Sequence, residues 1–239
     1  MNNQIKTIVL AAVSVASLAT AAHAQLGGVY TQGDLLAGFT TGSGTDLILN
    51  LGLQSSVTDG ESWDITSLVG AGVPAGLFSS PSSVIFGVIG DNSGPNTIFT
   101  TTAGTNPNHF ASQSAFNTAD AALSGAGSLL NGSTGFGTPS TTASGQTSWF
   151  GQTVGGGTGT IKNSYGNPDG GAGQASLNFY TIAQGSTGSR TLEATFSLSQ
   201  NGSGDEVLSY SVVPEPSTTA LAGFAGLIGL WARNRKKLS

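Results

Sequence analysis

Few side chains in this chain of 239 residues are suited to catalysis. The chain contains no cysteine, which removes thiol nucleophiles, thiolate metal sites and disulfides. His109 is the only histidine after residue 24, and no nucleophile-elbow motif accompanies it, so a Ser-His-Asp arrangement is not predicted. Asp59, Glu61 and Asp64 could supply the paired carboxylates of a glycoside hydrolase, but their spacing fits a solvated acidic loop equally well. We therefore expect no catalytic residue and no enzyme.

Two other stretches have side chains suited to binding a ligand. The run Asp91-Asn92-Ser93-Gly94-Pro95-Asn96 offers oxygen ligands for calcium, yet it lacks the glycine position and the terminal glutamate of an EF-hand. An Asx-rich turn is the prediction there, and we expect no metal and no cofactor. Trp149 and Phe150 lie in a Gly-rich stretch, where exposed aromatic rings can stack on sugars. We predict glycan stacking for this pair and expect Trp63 to belong to the core.

Charge excludes one large class of partners. Between Gln25 and Val213 the only basic residues are Lys162 and Arg190, against eleven Asp and Glu, which gives a formal charge of −9. Nucleic acid binding requires basic clusters that neutralise phosphates, so no nucleic acid partner is expected. The same charge disfavours direct binding to anionic lipid headgroups or acidic polysaccharides.

The elements that must position these residues are mostly β-strands. Apolar side chains alternate with a period of two, between turns rich in Gly, Asn and Ser. Thr41–Thr45 and Asn201–Asp205 are predicted hairpin loops, and Ser62–Val69 is a weaker strand or a loop. The other predicted strands are Asp34–Thr40, Asp46–Leu53, Ser83–Ile89, Asn96–Thr102, Ala175–Ile182, Thr191–Ser199 and Glu206–Val213.

One segment departs from the β pattern. Asn108 can cap a helix from about His109 to Leu123, where alanine is abundant and apolar residues recur at helical spacing. The stretch 132–173 is dense in Gly, Ser and Thr, which predicts a long irregular excursion. The sequence therefore predicts a mainly β fold, an antiparallel β-sandwich-like single domain (25–213) with one helix, followed by a C-terminal transmembrane helix.

Residues 1–24 have the pattern of a secretory signal peptide. Lys6 precedes an apolar stretch, and the small residues Ala22 and Ala24 flank His23 directly before Gln25. We predict export through the Sec translocon and cleavage between Ala24 and Gln25. An uncleaved anchor is the alternative.

The C-terminal tail, residues 214–239, has three parts. Proline fixes φ and lacks a donor N–H, so Pro214, Glu215 and Pro216 predict an extended, accessible hinge. Residues 218–232 carry no charge and spread apolar side chains around the whole helical circumference, which predicts a membrane helix. A buried core helix is the alternative, but a basic cytoplasmic stop follows and favours the membrane. That stop consists of Arg233, Arg235, Lys236 and Lys237.

These three parts, in this order, resemble the PEP-CTERM protein-sorting signal of exported proteins from Gram-negative bacteria. Pro214-Glu215-Pro216 matches the tripeptide, Thr219–Ala232 the membrane segment and Arg233–Lys237 the basic end. The resemblance implies processing near the tripeptide by an exosortase, a membrane-embedded enzyme, in a system that accompanies exopolysaccharide production. It also implies a transient anchor in the inner membrane, followed by transfer to the cell surface or the extracellular matrix.

The exported domain is similar to a recurrent type of PEP-CTERM ectodomain. The similarity lies in five short apolar strings, Gly33–Phe39, Asp46–Gly52, Phe86–Gly90, Leu177–Tyr180 and Ala194–Ser199. These strings have a full interpretation as core strands, so the similarity implies a shared β fold and no site residues.

The expected function is a noncatalytic structural role at the surface or in the matrix, in association with exopolysaccharide. A carbohydrate-binding or adhesive module is the alternative, distinguished by saturable glycan binding. A secreted hydrolase has the least support.

Overall fold

The computed structural model describes residues 30–42, 46–70, 73–92, 94, 96–104, 170–184 and 190–213, together with residues 114, 117, 118, 120, 121, 123 and 149. Within them the strands expected from alternation are confirmed, with bounds that shift by three residues or fewer. The strands are β1 Asp34–Thr40, β2 Leu47–Leu53, β3 Ser62–Asp64, β4 Ile85–Asn92, β5 Thr97–Thr102, β6 Ser176–Ala183, β7 Arg190–Gln200 and β8 Glu206–Val212.

The segment predicted as a weak strand or loop contains both a strand and a helix. After β3 the chain enters α1, Ile65–Val69. Asp64 caps α1, because its side chain accepts a hydrogen bond from the Ser67 backbone N–H. Gly70 ends the helix with φ of 59°, in the left-handed region that glycine tolerates best.

Helical residues also occur in the segment predicted as the one helix, 109–123. The Thr118 hydroxyl donates to the Ser114 carbonyl at 2.9 Å, across the four-residue spacing of one helical turn. The described residues of this segment are helical, as predicted: Ser114, Asn117, Thr118, Asp120, Ala121 and Leu123.

The strands form one sheet, where the sequence predicted a sandwich-like pair. The order is β2-β1-β4-β5-β6-β7-β8-β3, and every neighbouring pair is antiparallel. The sheet curls, so that side chains from all eight strands meet in one apolar cluster on its inner face. The mainly β, antiparallel prediction is confirmed, and all eight strands belong to a single hydrogen-bonded sheet.

Aromatic rings dominate the inner core. Phe179, Phe196 and Tyr210 lie on adjacent strands and pack edge to face, with ring centroids 5.1–6.2 Å apart. Trp63 is 1% exposed and stacks on Phe196 at 6.2 Å, so it belongs to the core as expected.

The outer face of the sheet is also buried over β1, β2 and β4. Leu36, Ile48 and Ile89 point away from the inner cluster, because neighbours along a strand alternate between faces. All three have 0% exposure. The sequence predicted half-buried strands for β1 and β2, and the structure differs because further side chains, among them Trp149, cover this face. The nearly continuous apolar run of β4 agrees with its burial on both faces.

A bulge in β7 changes the position of one predicted core residue. Phe179 pairs with Ala194 and Tyr180 pairs with Leu192, so Glu193 is left over on β7. The extra residue turns Leu192 away from the inner face. Leu192 is therefore 38% exposed, whereas Ala194, Phe196 and Leu198 are buried as predicted.

Among the described residues no helix is both long and apolar enough to cross a membrane. The predicted membrane segment 218–232 lies outside those residues.

Candidate functional site

Strand β8 leads directly into the predicted sorting tripeptide. It lies between β7 and β3, and its last residue precedes Val213 and Pro214. The Val213 N–H donates to the Glu193 carbonyl at 3.0 Å, and the Val212 N–H donates to a carboxylate oxygen of Asp59 at 2.9 Å. The backbone is thus held by hydrogen bonds up to the residue before the tripeptide.

The three carboxylates considered for hydrolysis each bind a backbone amide. Asp59 accepts from Val212, as above, and Asp64 accepts from Ser67 at 2.8 Å at the start of α1. Glu61 is 4% exposed and accepts from the Thr58 N–H at 2.9 Å. These contacts give all three side chains a structural role in the turn and helix beside β8.

The stretch considered for calcium binding, residues 91–96, contains a turn at Asn92 and the buried carboxyl of Asp91. The Asn92 side-chain oxygen accepts from the Gly94 N–H at 3.1 Å, which is the predicted Asx turn. Asp91 has 0% exposure and lies on the outer face, where the Tyr30 hydroxyl donates to it and the Gln32 amide donates at 3.3 Å. The described residues contain no group of three or more His, Cys, Asp or Glu side chains placed to hold a metal.

Asp91 belongs to an acidic pair with Asp120. The Gln32 amide also donates to Asp120 at 3.2 Å, so it joins the sheet to the helical segment. Burial raises the pKa of Asp91 to about 6; the nearby Asp120 carboxyl adds to this increase, while the hydrogen bonds from Tyr30 and Gln32 oppose it. The Asp91 carboxyl therefore takes up a proton as the pH falls through about 6, well above the ordinary range of an aspartate.

The predicted exposure of Trp149 is wrong. Its side chain is 1% exposed and lies directly on Gly38 of β1. A Cβ atom on Gly38 would lie 1.8 Å from Cδ2 of the indole, so glycine is required here for close approach rather than for a special φ. The buried ring has no free face for a sugar. Phe150 lies outside the described residues.

Glu206 is a feature that sequence reasoning missed. It begins β8 on the inner face, two residues before the core residue Leu208, and is 1% exposed. Neither carboxylate oxygen has a hydrogen-bond partner. Burial raises the pKa of Glu206. The sequence signal was an acidic residue at an inward position of the alternation Glu206, Leu208, Tyr210.

The remaining predicted site residues lie outside the described part of the chain. They are His109, the signal cleavage residues Ala22, Ala24 and Gln25, the tripeptide Pro214, Glu215 and Pro216, and the basic residues Arg233, Arg235, Lys236 and Lys237.

Comparison with known families identifies the tail. The family model described as PEP-CTERM protein-sorting motif matches residues 212–236. Searches against curated proteins and against solved structures found no match for this chain. The match begins at the end of β8 and includes the tripeptide and most of the basic end. This chain therefore carries a PEP-CTERM protein-sorting motif at its C-terminal end, the mark of an exported protein whose processing partner is an exosortase.

Proposed function

We propose that this protein is a noncatalytic structural component of the cell surface or extracellular matrix of a Gram-negative bacterium that produces exopolysaccharide. In this proposal the signal peptide is removed after Ala24, the basic tail holds the chain in the inner membrane, and an exosortase then releases the domain. The observation that carries the proposal is the sorting motif that follows β8 directly.

The position of the motif supports release of a folded domain. The backbone hydrogen bonds that join β8 to β7 and to the turn beside β3 end at Val213. Cleavage near Pro214-Glu215-Pro216 removes none of them. A processed protein would keep all eight strands, which a structural component outside the cell needs.

The acidic residues nearest the motif support a structural role. Their carboxylates accept hydrogen bonds from backbone amides and so stabilise the fold, as seen for Asp59, Glu61 and Asp64. The exported part has a formal charge of −9, so association with an exopolysaccharide would depend on neutral sugars or on bridging cations rather than on basic patches.

The test is the mass and the C-terminal peptide of the protein recovered from the envelope and the medium of its host. The expected result is a C-terminus near residues 214–217 in the medium or matrix, without the basic tail. Recovery of intact Ser239 in the membrane fraction alone would contradict release.

Variants of the tripeptide sharpen the test. Glu215→Ala and Pro216→Ala should leave unprocessed chain in the membrane, since the processing enzyme reads the tripeptide. Ser211→Ala, on β8 and outside the matched residues, is the control and should be released like the unaltered protein. Normal release of both tripeptide variants would show that another feature directs sorting.

A further inference from the structure

A cavity opens at one end of the inner core, beside the buried carboxyl of Glu206. Its volume is about 220 Å³. Val84, Ala175 and Leu198 give it apolar walls, and Ser82 and Ser199 add hydroxyl groups. The cavity is large enough for a ligand of several non-hydrogen atoms, since one water occupies roughly 30 Å³ in the liquid.

The Glu206 carboxylate beside this cavity has no positively charged or hydrogen-bonding partner among the described residues. It is 1% exposed, and neither of its oxygens has a hydrogen-bond partner. A buried charge without a partner costs several kcal/mol, so natural proteins rarely keep one without a reason. An inward Leu or Val at this strand position would have avoided that cost.

The described residues provide no cation for Glu206. Arg190 is the only basic residue among them, and it begins β7 at the opposite end from the cavity. At about 3.3 Å per strand residue it lies roughly 26 Å from Leu198, well beyond the reach of an ion pair. The strongly acidic exported domain also raises the local concentration of cations from solution.

The lining distinguishes between two kinds of cation. Calcium and magnesium take six or more oxygen ligands, and calcium sites usually combine several carboxylates. Here one carboxylate stands beside apolar walls, and the Gln174 amide is already engaged with the Gly171 N–H and the Ser176 carbonyl. Apolar walls around a single anionic group fit an aliphatic body with one cationic end.

We infer that the cavity beside Glu206 binds a small organic ammonium ion, with its charged group on the Glu206 carboxylate and its aliphatic part against Val84, Ala175 and Leu198. Both oxygens are closed to solvent in this conformation, so binding requires the Glu206 side chain to turn towards the cavity, where the ammonium group supplies the missing partner. This site is separate from the sorting tail, so the inference does not depend on the proposed processing.

Calorimetric titration of the protein with n-butylammonium chloride tests the inference. We expect saturable binding by the full chain, and at least about tenfold weaker binding by Glu206→Gln, which keeps the shape and removes the charge. n-Butanol, which has the same aliphatic body without the charge, should bind at least about tenfold more weakly than the ammonium ion. Calcium chloride should give no competing signal.

Two further variants keep the test decisive if Glu206→Gln does not fold. Ala175→Phe places a large ring at an exposed rim position and should block the cavity while Glu206 remains. Asp205→Asn alters the adjacent carboxylate, which accepts from the Asn201 amide in the hairpin loop, and should bind like the unaltered chain.

Two results would overturn the inference. The first is absence of saturable ammonium binding by the unaltered chain; if binding then appears in Lys162→Met, the cavity belongs to a lysine side chain of this protein instead of a free ligand. The second is equal affinity in Ala175→Phe.

Discussion

The contact between Gly38 and Trp149 predicts a large effect from adding one methyl group. In Gly38→Ala the new Cβ would lie 1.8 Å from Cδ2 and 2.2 Å from both Cε2 and Cε3 of the indole. Carbon atoms in contact lie about 3.5 Å apart, so the ring must withdraw by roughly 1.5 Å. Gly38 lies within β1, between two other strands, and the backbone has little room to move instead.

The magnitude follows from what the displaced ring loses. Trp149 is 1% exposed, and removing a buried Trp side chain costs about 3–5 kcal/mol. Overpacking a core position costs about 1–3 kcal/mol. We therefore expect Gly38→Ala to lower the free energy of unfolding by about 2–4 kcal/mol.

Urea unfolding followed by circular dichroism measures this change, and a double-mutant cycle assigns its cause. In a Trp149→Ala background the ring is absent, so Gly38→Ala should cost less than about 1 kcal/mol. Gly202→Ala is the control, because a Cβ there meets nothing within 4 Å and should change stability by less than about 0.5 kcal/mol. An unchanged stability of Gly38→Ala, or a full penalty in the Trp149→Ala background, would refute the reasoning.

Three further predictions concern carboxylates. Asp91 has a pKa of about 6 in the native state, against an ordinary 3.8. Its protonated form therefore contributes stability that is fully present below pH 3.8 and is lost as the pH rises through about 6. Asp120→Asn should move the Asp91 pKa down from about 6 in a carbon-13 NMR titration, and an unchanged value would leave burial as the sole cause. Burial raises the pKa of Glu206, so Glu206→Gln should unfold at a higher urea concentration than the unaltered chain at pH 7. This difference should become smaller as the pH falls, because the carboxyl is then protonated. A lower urea midpoint of Glu206→Gln at pH 7 would mean that the carboxylate has a stabilising partner. Asp59→Ala should speed hydrogen exchange of the Val212 amide by about two- to tenfold, because that amide loses its acceptor, and equal exchange would show that the bond is not maintained in solution.

The strands were predictable because each carries its own signal. β8 alternates Glu206, Leu208 and Tyr210 inward, and the preceding loop 201–205 is rich in turn residues, so its position follows from local chemistry. Alternation does not identify the partner of a strand, however. The placement of β3 beside β8, and the closure of one curled sheet, depend on contacts between distant residues such as Trp63 and Phe196.

The site was less predictable, for two physical reasons. Trp149 was expected to be exposed because its neighbours are small and polar, yet its burial depends on Gly38, over one hundred residues away in the chain. A glycine inside a strand is itself a sign of close approach, and that sign was available in the sequence. The inward position of Glu206 was visible in the alternation along β8, but the cavity beside it and its lack of a partner depend on residues distant in sequence.

The pairing of β3 with β8 has a consequence for the order of folding. Ser62 pairs with Ser209, so nearly 150 residues separate the two partners. A chain that crosses the membrane from its N-terminus presents β3 early, and β3 must wait until almost the entire domain has emerged. Pairings so distant in sequence form slowly. If the tail anchors the chain as proposed, it would keep the end of β8 at the membrane during that wait and give the sheet time to close before processing.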